Sequence, residues 1–180
     1  MAKKILIIST SPRKGGNSER LADEFAAGAA EAGCRVEKVS LRDKSVNFCR
    51  GCLACQKTGR CVIRDDAEAI LAAMRGADAV VFATPVYFYG MNGQMKTLLD
   101  RTNPLFHSEY AFRDVYLLAA AADEDRNAVD GTLAGLNGWL ECFGKTRLKG
   151  VVFAGGVSDG GDIAKRPEIL EEAKNMGRGA

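Results

Sequence analysis

Thirteen residues, Cys49 to Cys61 (CRGCLACQKTGRC), hold four of the six cysteines of this 180-residue chain, at spacing C-x2-C-x2-C-x5-C. Thiols gathered so densely can ligate zinc, ligate an iron–sulfur cluster, or stay free and redox-active. Zinc sites usually present two separated C-x2-4-C knuckles; three cysteines overlapping at x2 spacing leave little chain to wrap a tetrahedral ion. A cubane cluster is larger, and one short loop can reach its iron corners. The run is not the ferredoxin pattern C-x2-C-x2-C-x3-C-P, because five residues precede the last cysteine and no proline follows it. Gly51 and Gly59 would let the backbone turn tightly around an inorganic core. Spacing alone leaves all three uses open. Cys34 and Cys142 stand apart and read as buried structural cysteines.

Two further stretches carry chemistry. Thr10 to Ser18 (TSPRKGGNS) offers hydroxyls, two cations and free backbone N–H groups where a helix begins, which suits a phosphate. It is neither G-x-x-x-x-G-K-[ST] nor G-x-G-x-x-G, and an ordinary turn with Asn17 or Ser18 as N-cap is the plain alternative. Thr84 to Gly93 (TPVYFYGMNG) holds three consecutive aromatics, which suit a flat ring system or, equally, packing in the core or at an interface. The single histidine, His107, has no partner motif and reads as a surface or structural residue. Asp100 and Arg101 read as a helix-end pair, Asp65 and Asp66 as helix caps, and Gly155 to Gly161 as a connector. No Ser–His–Asp or Cys–His constellation supports a hydrolase, and no side chain is assigned acid–base catalysis.

The elements that must position these loops alternate. Lys4–Ser9, Arg35–Leu41, Ala77–Ala83, Val115–Ala121 and Leu148–Ala154 read as strands, mostly apolar runs buried on both faces. Helical spacing links Leu21, Phe25 and Ala29; then Ile70, Leu71 and Met74; then Met95, Leu98, Leu99 and Thr102; then Val129 to Phe143. A last helix opens at Pro167. Strands separated by helices predict an α/β chain with a doubly wound parallel sheet. Such sheets bind ligands at the carboxyl ends of their strands, where the loops after the first and third strands lie. No linker or repeat divides residues 1–180, so one domain is expected, with a long cysteine-rich loop at about 43–64.

SPRKGGNS resembles the phosphate loop of the NADPH-dependent FMN reductases, a flavodoxin-like family, usually read as G-S-P-R-x-x-G-N-[ST]. ATPVYFYGMNGQMKTLLDR resembles the same family's flavin-ring loop and following helix, with P-x-Y and a K-x-x-x-D-R ending. Thr10 departs from the usual glycine but still offers a hydroxyl. The resemblance implies a five-stranded sheet in the order 2-1-3-4-5 with helices on both faces, and FMN as cofactor. Ser11, Arg13, Asn17 and Ser18 would hold its phosphate; Pro85, Val86, Tyr87, Phe88 and Tyr89 would line the ring; Gly90 would allow close approach. The loop Ala122–Asp125 should flank the flavin, although its sequence is not diagnostic.

The cysteine run and its tail, GRCVIRDD, are similar to the iron–sulfur flavoprotein subfamily. That likeness implies a [4Fe–4S] cluster on Cys49, Cys52, Cys55 and Cys61, exchanging electrons with FMN in a homodimer or homotetramer. A ferredoxin-like donor would fit. Related reductases with similar loops leave a second expectation open, an NAD(P)H-dependent FMN or quinone reductase with no working cluster.

Composition sets the outer bounds. The chain is 47% hydrophobic and 27% charged, with a formal net charge of +2 and scattered basic residues. No nucleic-acid surface is expected. The apolar run Ile5–Ile8 is too short for a signal peptide or membrane span, so a reducing cytoplasm is expected, which also disfavours disulfides.

Overall fold

The computed structural model describes residues 2–180. Strands β1 (Lys4–Ser9), β2 (Arg35–Ser40), β3 (Ala79–Tyr87), β5 (Asp114–Ala120) and β6 (Arg147–Ala154) run parallel in the order β2-β1-β3-β5-β6. Counted without β4 (Gly90–Met91), this is the expected order, with the first crossover turning one way and the rest the other. The sheet therefore has a switch point between β1 and β3.

Period-two alternation divides the core. Leu6, Ile8, Phe82 and Leu117 face α3 (Ala67–Gly76), α4 (Gly93–Asp100) and α6 (Asp130–Glu141). Ile5, Ile7, Val81 and Leu118 face α1 (Asn17–Glu31) and α7 (Pro167–Arg178). Because both faces are covered, β1 is buried except at Lys4. β2 forms one edge and has no buried residue, which explains its weak alternation.

α1 and α7 approach unusually closely. A Cβ on Gly28 would sit 1.9 Å from the Lys174 carbonyl oxygen, and one on Gly177 would sit 2.1 Å from that of Phe25. Neither backbone can yield cheaply. Gly177→Ala is expected to lower the unfolding free energy by about 1–3 kcal/mol through overpacking. Urea denaturation checks this, and an unchanged midpoint would contradict the contact.

The structure departs from the sequence reading at several places. β3 continues past Ala83, because Thr84 and Pro85 still pair with β5, and then folds into a hairpin with β4. The long loop contains a short helix, α2 (Ala54–Thr58), and another, α5 (Asn103–Phe106), follows α4. Gly16 is the N-cap residue of α1, with no side-chain cap bond, so neither Asn17 nor Ser18 caps it. Asp65, not Asp66, accepts from the Ala67 N–H, while Asp66 accepts from that of Ser45. Cys34 is half-buried and Cys142 exposed, so the buried reading fails for both. His107 is exposed, as expected.

Candidate functional site

The loops after β1, β5 and β6 and the carboxyl end of β3 converge on one cleft of about 170 Å³. Ser11, Arg13, Asn17 and Ser18 form one wall, and Pro85, Val86 and Tyr87 another. Ala122 contributes from the loop after β5, where a flanking role was expected. Val157 and Ser158 close it from the glycine-rich segment, which is therefore part of the cleft and more than a connector. Seven of the ten residues expected at the flavin thus share one cleft.

The first wall is built by local bonds. The Ser11 hydroxyl donates to the Arg13 carbonyl (2.9 Å), closing a short turn. Glu19 accepts from the Gly15 N–H (2.6 Å) and pairs with Arg42 (3.3 Å). The buried Thr10 hydroxyl donates to the Ala83 carbonyl, so it ties β1 to β3 and does not reach the cleft, contrary to expectation. Arg13 donates to the Ser158 carbonyl (2.9 Å). The Asn17 amide is tied to the glycine-rich segment: Nδ2 donates one hydrogen to the Asp159 carbonyl, and Oδ1 accepts from the Gly161 and Ile163 N–H groups. Asn17 therefore fastens the 159–163 segment beside the cleft. That segment could have been flagged in the sequence by its glycine run after the last strand.

An FMN phosphate fits this wall. The opening N–H groups of α1 lack intrahelical acceptors, the helix dipole favours an anion, and the Arg13 guanidinium keeps donors beyond its one carbonyl bond. Pro85, Val86 and the half-exposed Tyr87 give an apolar surface for a planar ring.

Phe88, Tyr89 and Gly90 do not line the cleft wall. Phe88 and Tyr89 form a two-residue turn with φ of 49° and 61°, and Phe88 is fully exposed. The Tyr89 hydroxyl donates to Asp123 (3.0 Å), and this bond raises the phenol above its ordinary value. Helix α6 supports the turn from beneath: a Cβ on Gly131 would lie 2.2 Å from the Tyr89 carbonyl oxygen.

The cysteines lie elsewhere. Cys49, Cys52, Cys55 and Cys61 all line a second, mostly apolar pocket shaped by Leu53 and Arg101. Gly51, Leu53 and Gly59 have positive φ, which coils the loop around it. The Gly51 N–H points at the Cys49 sulfur (3.4 Å). Burial pushes the Cys55 thiol up, and Cys61, Cys49 and Cys52 add to the effect. Cys49 and Cys52 are exposed while Cys55 is buried, so the sulfurs stand at different depths. Among the described residues, no group of three or more His, Cys, Asp or Glu side chains is arranged to hold a metal ion. The expected ligands therefore share one pocket without an ion-holding arrangement. Their chemistry suits a thiolate-bound cluster: four sulfurs, a backbone N–H aimed at one of them, and a nearby guanidinium.

Arg101 also departs from expectation. Asp100 pairs with Lys96 (2.6 Å), and Arg101 turns inward to Asp65 (2.7 Å). Among the described residues, no helix is long and apolar enough to cross a membrane.

A doubly wound parallel sheet in this strand order, with a cleft at the carboxyl ends of its strands, is the architecture of flavodoxin-like proteins. The profile of the NADPH-dependent FMN reductases matches residues 3–159. An iron–sulfur flavoprotein of Methanosarcina thermophila is 32% identical over 165 residues, covering 91% of this chain and 83% of that protein. One of Methanocaldococcus jannaschii is 44% identical over 102 residues, 57% of this chain; the match spans about half of that relative, 53%. The solved NAD(P)H:quinone oxidoreductase of Methanothermobacter marburgensis shares the fold, with TM-score 0.74 at 17% identity, covering 99% of this chain and 96% of that one. The chain belongs to the NADPH-dependent FMN reductase family, a family of FMN-dependent oxidoreductases, and within it to the iron–sulfur flavoproteins.

Proposed function

We propose that this chain is an FMN-dependent oxidoreductase that takes reducing equivalents from NAD(P)H and delivers them to a small acceptor such as a quinone. The observation that carries this reading is the single cleft joining the phosphate-loop wall to Pro85, Val86 and Tyr87. Bound FMN supplies the acceptance and release of electrons, singly or as hydride. Arg13 and the first turn of α1 bind and orient the phosphate. Tyr87 and Val86 place one face of the ring, while Val157 and Ser158 keep water from the opposite wall. No separate nucleotide motif is visible, so NAD(P)H docks over the open side of the ring.

Arg13→Ala is expected to weaken FMN binding about 10- to 100-fold, the loss of one charge-assisted contact. Quenching of flavin fluorescence measures it. The governing experiment is an anaerobic titration of the iron-free chain with FMN and then NADPH. Stoichiometric FMN uptake and rapid bleaching of its absorbance support the reading; a folded chain that binds no FMN ends it.

A second reading is favoured by the four thiols on one pocket and by the names of the relatives. Cys49, Cys52, Cys55 and Cys61 would hold a [4Fe–4S] cluster, which supplies single-electron exchange, with a ferredoxin-like protein as donor. The absence of an ion-holding arrangement among these side chains favours the first reading. Iron, sulfide and FMN measured on one anaerobically reconstituted sample separate the two. Four iron and four sulfide per FMN establish the second, and FMN without iron establishes the first. In either case we place the chain, as one domain, in a reducing cytoplasm. We also infer a homodimer or homotetramer that covers Phe48 and Phe106, both exposed.

A further inference from the structure

Arg101 is the largest fully buried side chain among the described residues, at 2% exposure, and it lies outside the flavin cleft. Its Nη1 donates to the Asn47 carbonyl (2.8 Å) and to Asp65 Oδ2 (2.7 Å). Its Nη2 donates to the Ile63 carbonyl (3.3 Å) and to Asp65 Oδ1 (3.0 Å). Asn47 lies two residues before the first cysteine of the run, and Ile63 two residues after the last. One planar guanidinium thus fastens both ends of the cysteine loop to the end of α4. Asp65 strengthens the closure by accepting from the Asn47 N–H (2.8 Å) and side-chain amide (3.1 Å).

The remaining donor is Nε–H, which is buried and has no hydrogen-bond partner among the described residues. A buried donor left unmet is costly, and an uncompensated one points to an absent acceptor. Arg101 lines the same pocket as the four cysteines. A lysine could not replace this fork, because three donors on a point charge cannot span two carbonyls and a carboxylate in one plane.

We propose that Arg101 is a positioning residue for the four-thiol pocket: it closes the loop by holding both ends, and it presents its free Nε–H to the sulfur-bound group the pocket takes. The closing role stands without any cluster; the donor role rests on the cluster reading above.

The test uses the full chain with Arg101→Gln and Arg101→Lys. FMN uptake, read at the separate cleft, reports folding. In the metal-free chain, R101Q is expected to raise the rate of Cys55 alkylation by iodoacetamide at least about tenfold, because loop opening is no longer resisted. An unchanged rate overturns the closing role. Should R101Q fail to take up FMN, the double variant D65N/R101Q removes both buried charges and carries the same expectation. After reconstitution with iron and sulfide, R101K is expected to show a cluster midpoint potential below that of the wild type, since an N–H bond to a ligating sulfur favours the more negative, reduced state. An equal potential overturns the donor role. Wild-type chain that takes up no iron or sulfide overturns the cluster reading and the donor role together, and the alkylation rates still decide the closing role.

Discussion

Asp65→Ala is expected to lower the unfolding free energy by about 3–5 kcal/mol, a larger loss than any single surface ion pair here would give. Both partners are out of water, with side-chain exposures of 3% for Asp65 and 1% for Arg101. Deleting the carboxylate leaves a buried guanidinium with only two carbonyl partners. It also removes the acceptor for the Asn47 and Ala67 N–H groups, so the cysteine loop and the start of α3 loosen together. Replacing both partners with apolar residues is expected to recover much of the loss, because the penalty comes mainly from the orphaned charge. The pH dependence provides an independent check. Burial alone would raise the Asp65 carboxyl, but the bonds from Arg101, Asn47 and Ala67 hold it far below the usual carboxylate range. A depressed carboxyl contributes stability that is present above the unfolded value of about 3.9 and lost as pH falls toward the folded one. The gap between wild type and D65A in urea midpoint should therefore be widest near neutrality and narrow below about pH 4. Parallel curves across that range would mean the carboxylate is not held as the geometry indicates.

The same ion pair shows where the sequence stops being readable. Strands β1, β3 and β5 are legible because each holds an apolar run whose burial on both faces removes any need for polar alternation, whereas β2, an edge strand with no buried residue, shows only weak alternation. Ser11, Arg13, Asn17, Ser18 and Pro85 to Tyr87 could be named as residues of one cleft because they stand at the carboxyl ends of buried strands. Arg101 was read with its neighbour Asp100, since adjacent opposite charges at a helix end are the cheapest pairing to imagine. The real partner is 36 residues away, and only the folded path of the loop brings them together. Val157 and Ser158 were missed for a related reason: their role depends on Arg13 and Asn17, more than 140 residues earlier, reaching across to that segment. The short helices α2 and α5, of five and four residues, carry too few turns to show a period. The sulfur pocket was half legible. Its four residues could be named from spacing, but the depth of each sulfur depends on the positive φ values of Gly51, Leu53 and Gly59.

The aromatic turn leads to the other large expected effect, and here stability and function should move in opposite directions. A two-residue hairpin loop with positive φ at both positions is the natural place for Asn-Gly. This chain puts Phe88 and Tyr89 there, at φ of 49° and 61°. A left-handed conformation costs a side chain with Cβ roughly 1–2 kcal/mol per residue. F88N/Y89G is therefore expected to raise the unfolding free energy by about 1–3 kcal/mol, after allowing for the lost Tyr89–Asp123 bond and the greater freedom of unfolded glycine. Strain that survives in a turn held by α6 and by Asp123, while exposing a whole phenyl ring, implies a use outside the chain's own packing. Tyr87, the residue before the turn, already lines the cleft. Covering a flavin with Phe88 would bury the ring, so the double variant should bind FMN about 10- to 100-fold more weakly. Thermal unfolding and flavin fluorescence on the same preparation measure both quantities. A variant that gains stability and keeps its FMN affinity would move Phe88 from the flavin to a contact with another copy of the chain. A variant that gains no stability would show that the Tyr89–Asp123 bond and the packing on α6 already offset the strain.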